Sequence, residues 1–516
     1  MITSFPVLGL TVFCIPLAAA ILMLMLPERY LRSTLLALQL LQLLMATWVM
    51  AGTDFSHTGF HWMEEWPWSR ELHLSFAMGV DGISAPFLLI NALVMLAMTV
   101  SGWNSMPSHP RLVPAMLMLL HGLINGVYVS LDLGMFFLCW ELLVLPVVLL
   151  VMCYNPSYRG QHAAIRYGLF MFLGGLPLLL AILLLATGQP HVDGAVNQYP
   201  YAFDYLTLLD HPVASSVEPV VFLLMLLAFM VKIPIVPLHG WLPVLAMEGP
   251  AGAIAMVTSF KIGLYGVLRL LLPIAGSESL EYGQWLMATG LLSALYAVLA
   301  GLRQSNLRST LAYVSISHAG MVFASLFALN AWSMDGAVLQ LLNFACSGSA
   351  MFILLGYLYN RTGTHEIIHL GGLATSMPRL HGIFLFLLLS YIAVPGTLGF
   401  PAELMMLAGI FRSHTGYGIL ASFVSLLNIA CMLRLYRQTF QGSCRFTVSS
   451  IWEDLRPKEW LVMSPLLMIL LAGGIVPQKL IHLGQTALHV ILEQVHESGS
   501  KGEATSYALN IFQSTD

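Results

Sequence analysis

The sequence carries little charge and no concentrated basic segment. Only 9% of its 516 residues are Asp, Glu, Lys or Arg, against about 25% in soluble domains. Hydrophobic residues make up 58% of the chain, and the mean hydropathy is +0.81. A soluble protein of this length could not bury so much apolar surface, and the lack of a basic cluster excludes nucleic acid as a partner. The composition therefore predicts an integral membrane protein whose solvent is the lipid bilayer.

The six cysteines form no CxxC pair, and the sequence has no Gly-rich nucleotide loop and no four-ligand zinc pattern. We therefore expect no cofactor, no bound metal and no redox chemistry on this chain. The apolar run from Phe5 to Leu26 follows no basic region and is longer than the ~7–15 residues of a signal-peptide core. We interpret this run as a first membrane span.

Long apolar runs recur along the whole chain. A membrane-spanning helix needs ~20 mostly apolar residues, and about fourteen such runs are present. Their centres lie near residues 15, 41, 92, 120, 142, 175, 228, 261, 293, 318, 347, 395, 427 and 471. The sequence therefore predicts an all-α integral membrane fold with about 14 transmembrane helices.

Two of these predicted spans contain helix-breaking residues. Prolines and glycines interrupt the seventh span between residues 234 and 243, and the twelfth span between residues 395 and 401. Paired discontinuous helices at membrane depth indicate an internal repeat around an ion path. The predicted domains are an N-terminal three-helix segment (1–103), two inverted five-helix repeats (104–272 and 273–440), and a C-terminal helix with a polar tail (441–516), flexible after about Glu497.

Basic residues are distributed unevenly over the predicted loops. Fourteen of the 21 Lys and Arg residues fall on or beside the odd-numbered loops and five, including Arg269, on the even-numbered ones. The remaining two lie inside spans. Because loops rich in Lys and Arg stay in the cytoplasm, both termini are predicted on the outer, periplasmic side of a bacterial inner membrane.

Four charged residues interrupt the otherwise apolar spans: Glu141, Lys232, Lys261 and Glu403. Such residues are costly in a membrane and usually face the bundle interior or a hydrated cavity. A buried lysine can exchange its proton near neutral pH, and a glutamate that approaches or withdraws changes how tightly the proton is held. Three interpretations stay open at this point: a proton switch, a structural set of buried ion pairs, or lysines that extend toward the membrane surface.

Histidines in or beside the spans are weaker candidates. His239 and His318 fit either a proton relay or a hydrogen-bonded packing role. The cluster His365, Glu366 and His369 is predicted to be a solvated loop rather than a metal site.

Four motifs together resemble the antiporter-like membrane subunits of respiratory complex I, most strongly the subunit M (chain 4) branch of NADH-quinone oxidoreductase. The similarity runs from about residue 80 to 440. The motifs are Trp140-Glu141 with Pro146, Val231-Lys-Ile-Pro-Ile-Val-Pro-Leu-His-Gly-Trp-Leu-Pro243, Leu311-Ala-Tyr-Val-Ser-Ile-Ser-His-Ala-Gly320, and Pro395-Gly396 with Phe400-Pro-Ala-Glu403.

The resemblance implies inverted repeats and a proton channel. It assigns Glu141 and Lys232 as a functional pair, Lys261 as the central carrier, His318 as a relay and Glu403 as the terminal group. It also implies other membrane subunits of a complex I-like assembly as partners. No NADH, flavin, iron–sulfur or quinone site is expected on this subunit.

The chain departs from the family pattern at two places. After Pro243, relatives usually carry an acid, Ala and His, whereas this chain has Val244, Leu245 and Ala246. In the eleventh span Phe344 stands where relatives carry a His. Glu248 and His239 are possible accessory groups near the first departure. These differences favour a specialised paralogue and leave open whether the second half of the channel conducts.

Four functions remain compatible with the sequence. The first is a proton-translocating subunit driven by electron transfer in partner subunits of an NADH:quinone oxidoreductase-like enzyme. The others are a Na⁺/H⁺ antiporter-type subunit, a subunit of an energy-coupled inorganic-carbon uptake complex, and a non-pumping structural paralogue.

Overall fold

The fold is a bundle of helices with one small hairpin. The computed structural model describes residues 8–69, 74–102, 109–187, 203–210, 214, 216–442 and 452–513. The strands are β1 (His61–Ser69) and β2 (Leu74–Val80). The helices are α1 (Ile15–Met25), α2 (Glu28–Gly52), α3 (Ser84–Gly102), α4 (Leu112–Val129), α5 (Leu133–Leu142), α6 (Val144–Tyr154), α7 (Tyr158–Thr187), α8 (Tyr205–Asp210), α9 (Glu218–Lys232), α10 (Leu242–Glu248), α11 (Ala251–Ser259), α12 (Ile262–Gly266), α13 (Leu272–Ile274), α14 (Gly276–Gly301), α15 (Leu307–Leu326), α16 (Ala331–Thr362), α17 (Leu373–Ser376), α18 (Pro378–Tyr391), α19 (Gly399–Ser413), α20 (Thr415–Phe440), α21 (Pro457–Ile475) and α22 (Pro477–Gln513).

The predicted all-α membrane fold is confirmed. Within the described ranges, 11 helices are long and apolar enough to cross a membrane, and two shorter apolar helices accompany them. Twelve of the fourteen predicted centres fall inside a helix, and the other two, 261 and 395, fall at breaks between helices. Residues 5–7 of the predicted first span lie outside the described residues.

The hairpin was not predicted from the sequence. Strands β1 and β2 pair in antiparallel fashion, and the tryptophans of β1 favour extended backbone. The Glu64 carboxylate accepts hydrogen bonds of 2.7 and 2.8 Å from the backbone N–H groups of Leu8 and Gly9. The hairpin therefore fixes the first π-helical turn (Leu8–Cys14).

The chain breaks at four places along the spans. Breaks between α9 and α10 and between α18 and α19 coincide with the proline and glycine runs, since proline cannot donate a backbone hydrogen bond. Two further breaks were not predicted. One separates α5 from α6 at Leu143, and the other separates α11 from α12 at Phe260 and Lys261. Each break exposes backbone polar groups inside the bundle.

Helix α16 is the central element of the bundle. Its apolar window is wholly buried, and α15 is nearly so, whereas α2 and α21 lie at the periphery. Helix α16 packs against α3, α11, α15, α18, α19, α21 and α22. Large apolar side chains such as Leu173, Leu223 and Leu426 are exposed on the outer helices, as expected where lipid or another subunit is the neighbour. Polar groups on α15 and α16 are therefore enclosed by protein.

The first of the two C-terminal helices, α21, is hydrogen-bonded to the break between α18 and α19. The Leu398 N–H, in the segment between α18 and α19, donates a 2.9 Å hydrogen bond to Leu470 O of α21. Helix α22 starts two residues after α21 ends and continues to Gln513. The backbone is helical up to Gln513, and the flexible end after about Glu497 stays a prediction.

A buried ion pair joins the start of α3 to the segment between α12 and α13. Arg269, which loop counting placed near the membrane surface, is buried and forms a 2.7 Å ion pair with Asp81. The other oxygen of Asp81 accepts hydrogen bonds from the backbone N–H groups of Ile83 and Ser84 at the start of α3. Both charges thus have partners, which the low dielectric of the interior requires.

Replacing Asp81 by Ala is expected to leave Arg269 buried without its counter-ion. We expect the free energy of unfolding to fall by about 3–5 kcal/mol, seen as a lower melting temperature of the detergent-purified protein. The double variant Asp81→Leu, Arg269→Met is expected to recover most of the loss, because it removes both charges.

A matched control is Glu453→Ala, which breaks the Arg456–Glu453 pair, whose side chains are 66% and 70% exposed. That change should leave the melting temperature almost unchanged, because solvent screens an exposed ion pair. An equal effect of both single variants would contradict the importance of the buried pair.

Candidate functional site

Glu141 lies near the end of α5, just before the break at Leu143. Its carboxylate fits against Gly175 of α7, where a Cβ atom would collide with Oε1 and Cδ of the glutamate. The Oε1 atom has no hydrogen-bond partner within the protein. Gly175 therefore provides the space that lets a carboxylate approach the axis of a neighbouring helix.

Lys232 is the last residue of α9 and lies beside the segment that carries Glu141. Its Nζ donates a 2.6 Å hydrogen bond to Trp140 O and lies 3.6 Å from the centre of the Trp140 ring. The ammonium therefore contacts the residue that precedes Glu141, but it forms no direct ion pair with Glu141 itself. Small rearrangements of either side chain would change their separation.

A small cavity extends from Lys232 toward the eighth span. Its volume is about 30 Å³, and Tyr167, Trp241, Met256 and Ile262 are among its lining residues. A cavity needs roughly 10–15 Å³ to hold one water. There is therefore room for water between Lys232 and the segment that carries Lys261.

Lys261 occupies the unpredicted break between α11 and α12. Its backbone has φ of 46°, in the left-handed region that non-glycine residues rarely adopt. Its Nζ donates hydrogen bonds of 2.8 and 2.9 Å to the carbonyl and hydroxyl oxygens of Ser315 on α15. The side chain is buried, so these oxygens replace the hydration that the ammonium lacks.

His318 and Phe344 form a stacked pair next to Lys261. Their ring centres are 4.6 Å apart with an interplanar angle of 17°, and Lys261 Nζ lies 5.1 Å from the centre of the Phe344 ring. Tyr391 contacts both rings, at 5.7 and 5.8 Å. The His318 Nδ1 atom has no partner within the protein. Phe344 therefore presents an apolar face where a relay would need a polar atom.

Glu403 lies in the first turns of α19, after the second break. Upstream of it, Ser390 donates a 2.8 Å hydrogen bond to Asn343 of α16, and Asn343 Nδ2 points at Gly399 without a protein partner. Gly399 and Glu403 are one turn apart on the same helix face. Polar groups of α16 thus reach the start of the helix that carries Glu403.

The accessory candidates lie away from this line. His239 packs its ring against Tyr296 and Tyr313 at 5.4 and 6.2 Å. The Glu248 carboxylate accepts a 2.7 Å hydrogen bond from Asn155 at the end of α6. Ala246 is fully buried. Neither accessory residue makes a contact with Lys232 or Lys261 in the structure.

The predicted solvated loop is more ordered than expected. Glu366 accepts a 2.9 Å hydrogen bond from Asn306, the residue that caps α15. The His365 ring stacks on Tyr359 at 4.5 Å, and burial lowers the pKa of His365 to about 3. His369 is exposed. Glu366 therefore connects its loop to the loop that precedes α15. No cluster of three metal-ligating side chains occurs among the described residues.

Sequence reasoning found the charged residues and missed their partners. The missed partners are Ser315, which contacts Lys261, Tyr391, which contacts His318, and Asn343, which lies near the start of α19. They could not be recognised in the sequence, because short polar side chains and tyrosine do not interrupt an apolar run. The serine that precedes Lys261 by two residues, Ser259, is the one local signal that was available. Its hydroxyl is buried without a partner.

Three comparisons place the chain among known proteins. The family model described as NADH:quinone oxidoreductase/Mrp antiporter, TM matches residues 130–428. NADH-quinone oxidoreductase subunit M of Rhodobacter capsulatus is 30% identical over 466 residues, which cover 89% of this chain and 90% of that protein.

Solved structures agree with this match. A chain of respiratory complex I from Thermus thermophilus with bound NADH is 27% identical, with a TM-score of 0.84 over 95% of this chain and all of that one. A chain of the Mrp complex from Dietzia sp. DQ12-45-1b shares the fold with a TM-score of 0.80 at 20% identity, over 95% and 98% of the two chains. The chain therefore belongs to the family of NADH:quinone oxidoreductase and Mrp antiporter membrane subunits, as its sequence motifs predicted.

Proposed function

We propose that this chain moves protons across the membrane as one subunit of an NADH:quinone oxidoreductase-type complex. Partner subunits carry out the electron transfer, and this chain supplies the relay Glu141, Lys232, Lys261 and Glu403, with His318 beside it. The family and its subunit M relatives support the membrane and proton-translocating part of this proposal. The positive-inside pattern of the loops supports periplasmic termini.

The main support for the relay comes from the hydrogen-bond acceptors of the two buried lysines. A structural set of ion pairs predicts that each ammonium contacts a carboxylate. Instead, Lys232 donates to a backbone carbonyl and Lys261 to the two oxygens of Ser315. A lysine that is hydrogen-bonded to neutral oxygen atoms can release its proton, because the release leaves no unpaired carboxylate behind.

The geometry also supports a switch at Glu141. Its carboxylate lies in the Gly175 notch with one oxygen unpaired, and Lys232 donates its hydrogen bond to the carbonyl of the adjacent residue, Trp140. Movement of Glu141 out of the notch brings it toward Lys232 and favours the charged ammonium there. When Glu141 moves back into the notch, it no longer favours the charged ammonium. The proton of Lys232 then passes through the small cavity toward Lys261. Conformational change driven by partner subunits would set the position of Glu141.

Replacing Lys261 by Ala is expected to reduce the initial rate of NADH-driven proton pumping in membrane vesicles by at least about tenfold, because general acid–base groups of this kind contribute 10² or more. The assembled complex should persist, since Ser315 keeps its bond to Thr258 O. Lys458→Ala, at an exposed lysine, is the matched control and should pump normally. Unchanged pumping by the Lys261 variant would favour a non-pumping structural subunit, and pumping that depends on Na⁺ would favour an antiporter.

Replacing Glu141 by Gln keeps the shape of the side chain and removes its charge. We expect proton pumping to fall several-fold while the complex stays assembled, as judged by native gel electrophoresis. Gly175→Ala is expected to act in the same direction, because the added methyl group occupies the position of the carboxylate. Gly382→Ala is the control, since a Cβ there meets no atom within 4 Å. Normal coupling in the Glu141 variant would leave the structural ion-pair interpretation standing.

A further inference from the structure

The relay between Lys261 and Glu403 meets an apolar obstacle at Phe344. The ring stacks on His318 and lies under the Lys261 ammonium. A phenylalanine ring neither donates nor accepts a transferable proton. A proton that leaves Lys261 toward the second repeat must therefore go around this ring.

Two hydroxyl groups meet at Gly348 of α16, one helical turn along the chain from Phe344. Because Gly348 has no side chain, Ser259 Oγ and the Tyr391 hydroxyl both occupy the space that its Cβ would need. Tyr391 lies 3.0 Å from that position, and Ser259 lies closer. Both oxygens lie close to the same point, so they are near enough for one bridging water. Ser259 Oγ is buried and has no protein partner.

A line of buried polar side chains continues from this point along α16. Gln340, Asn343 and Ser347 are three or four residues apart and therefore share one face of the helix; we call them the α16 polar stripe. Each is fully buried, and each has one side-chain atom without a protein partner. Buried polar atoms of this kind are where ordered water binds. The stripe leads to Ser390 and to the start of α19.

We propose that protons pass from Lys261 around Phe344 by way of Ser259 and the Tyr391 hydroxyl, and then along the α16 polar stripe to Glu403. This inference rests on the proposed function and names the path through its second half. At Tyr391 the oxygen accepts one proton from water on the Ser259 side and releases its own proton to water on the stripe side. The tyrosine ends neutral, no bond other than O–H is made or broken, and one proton has moved.

The test is Tyr391→Phe, which removes one oxygen and keeps the ring against His318 and Phe344. We expect proton pumping to fall by about tenfold, the rate equivalent of one lost hydrogen bond in a relay. Tyr128→Phe is the matched control, because Tyr128 is another buried tyrosine and packs against Phe87 and Tyr265 rather than against His318 and Phe344. It should pump normally.

A second substitution separates a relay from a packing role. Phe344→His in the Tyr391→Phe background places a polar ring where the obstacle stood and is expected to restore most of the pumping. Normal pumping by Tyr391→Phe overturns the proposal. A loss that Phe344→His does not restore also overturns it, because the hydroxyl would then serve packing alone.

The result is distinguishable from failure of the proposed function. If Lys261→Ala abolishes pumping while Tyr391→Phe does not, only the path around Phe344 is wrong. If Lys261→Ala pumps normally, the relay itself is wrong. A density map of the assembled complex gives a readout independent of activity, with an ordered water expected between Ser259 Oγ and the Tyr391 hydroxyl. A dry gap there would contradict the path.

Discussion

An ammonium group in the middle of an apolar bundle needs oxygen atoms, and this requirement governs the architecture around Lys232 and Lys261. Regular helices use most of their carbonyl groups in their own hydrogen bonds, so a buried cation depends on helix breaks and on short polar side chains for acceptors. The chain meets the requirement by ending α9 at Lys232 and by breaking the eighth span at Lys261. The acceptors are the Trp140 carbonyl, at the end of another interrupted span, and Ser315 on an intact one.

The same requirement explains why polar side chains concentrate on the most enclosed helices. Helices α15 and α16 are shielded from lipid on all sides, so polar atoms on them avoid the cost of contact with hydrocarbon. The outer helices α2 and α21 carry apolar residues toward the surroundings. The bundle is thus organised from the inside outward, with polar atoms at the centre and apolar side chains at the boundary. A soluble protein has the reverse order.

The sequence was sufficient for the features that depend on local chemistry. Charged residues stand out in apolar runs, which identified Lys261 and Glu403, and prolines mark breaks because they lack an N–H group. The break at Lys261 has no such mark, since Phe260 and Lys261 are ordinary helix residues and the contact with Ser315 joins two separate spans. The approach of Tyr391 and Ser259 to Gly348 was equally hidden, because it depends on separate spans that meet at a glycine. Contacts between distant segments leave no periodicity in either one.

The hydrogen bond from Leu398 to Leu470 connects the C-terminal helices to the segment between α18 and α19. The segment between α18 and α19 is held by a backbone bond to α21, and α21 continues into the long α22 almost without interruption. This bond couples the position of that segment to the position of α21. A displacement of α22 is therefore expected to shift the segment that precedes Glu403 along the chain.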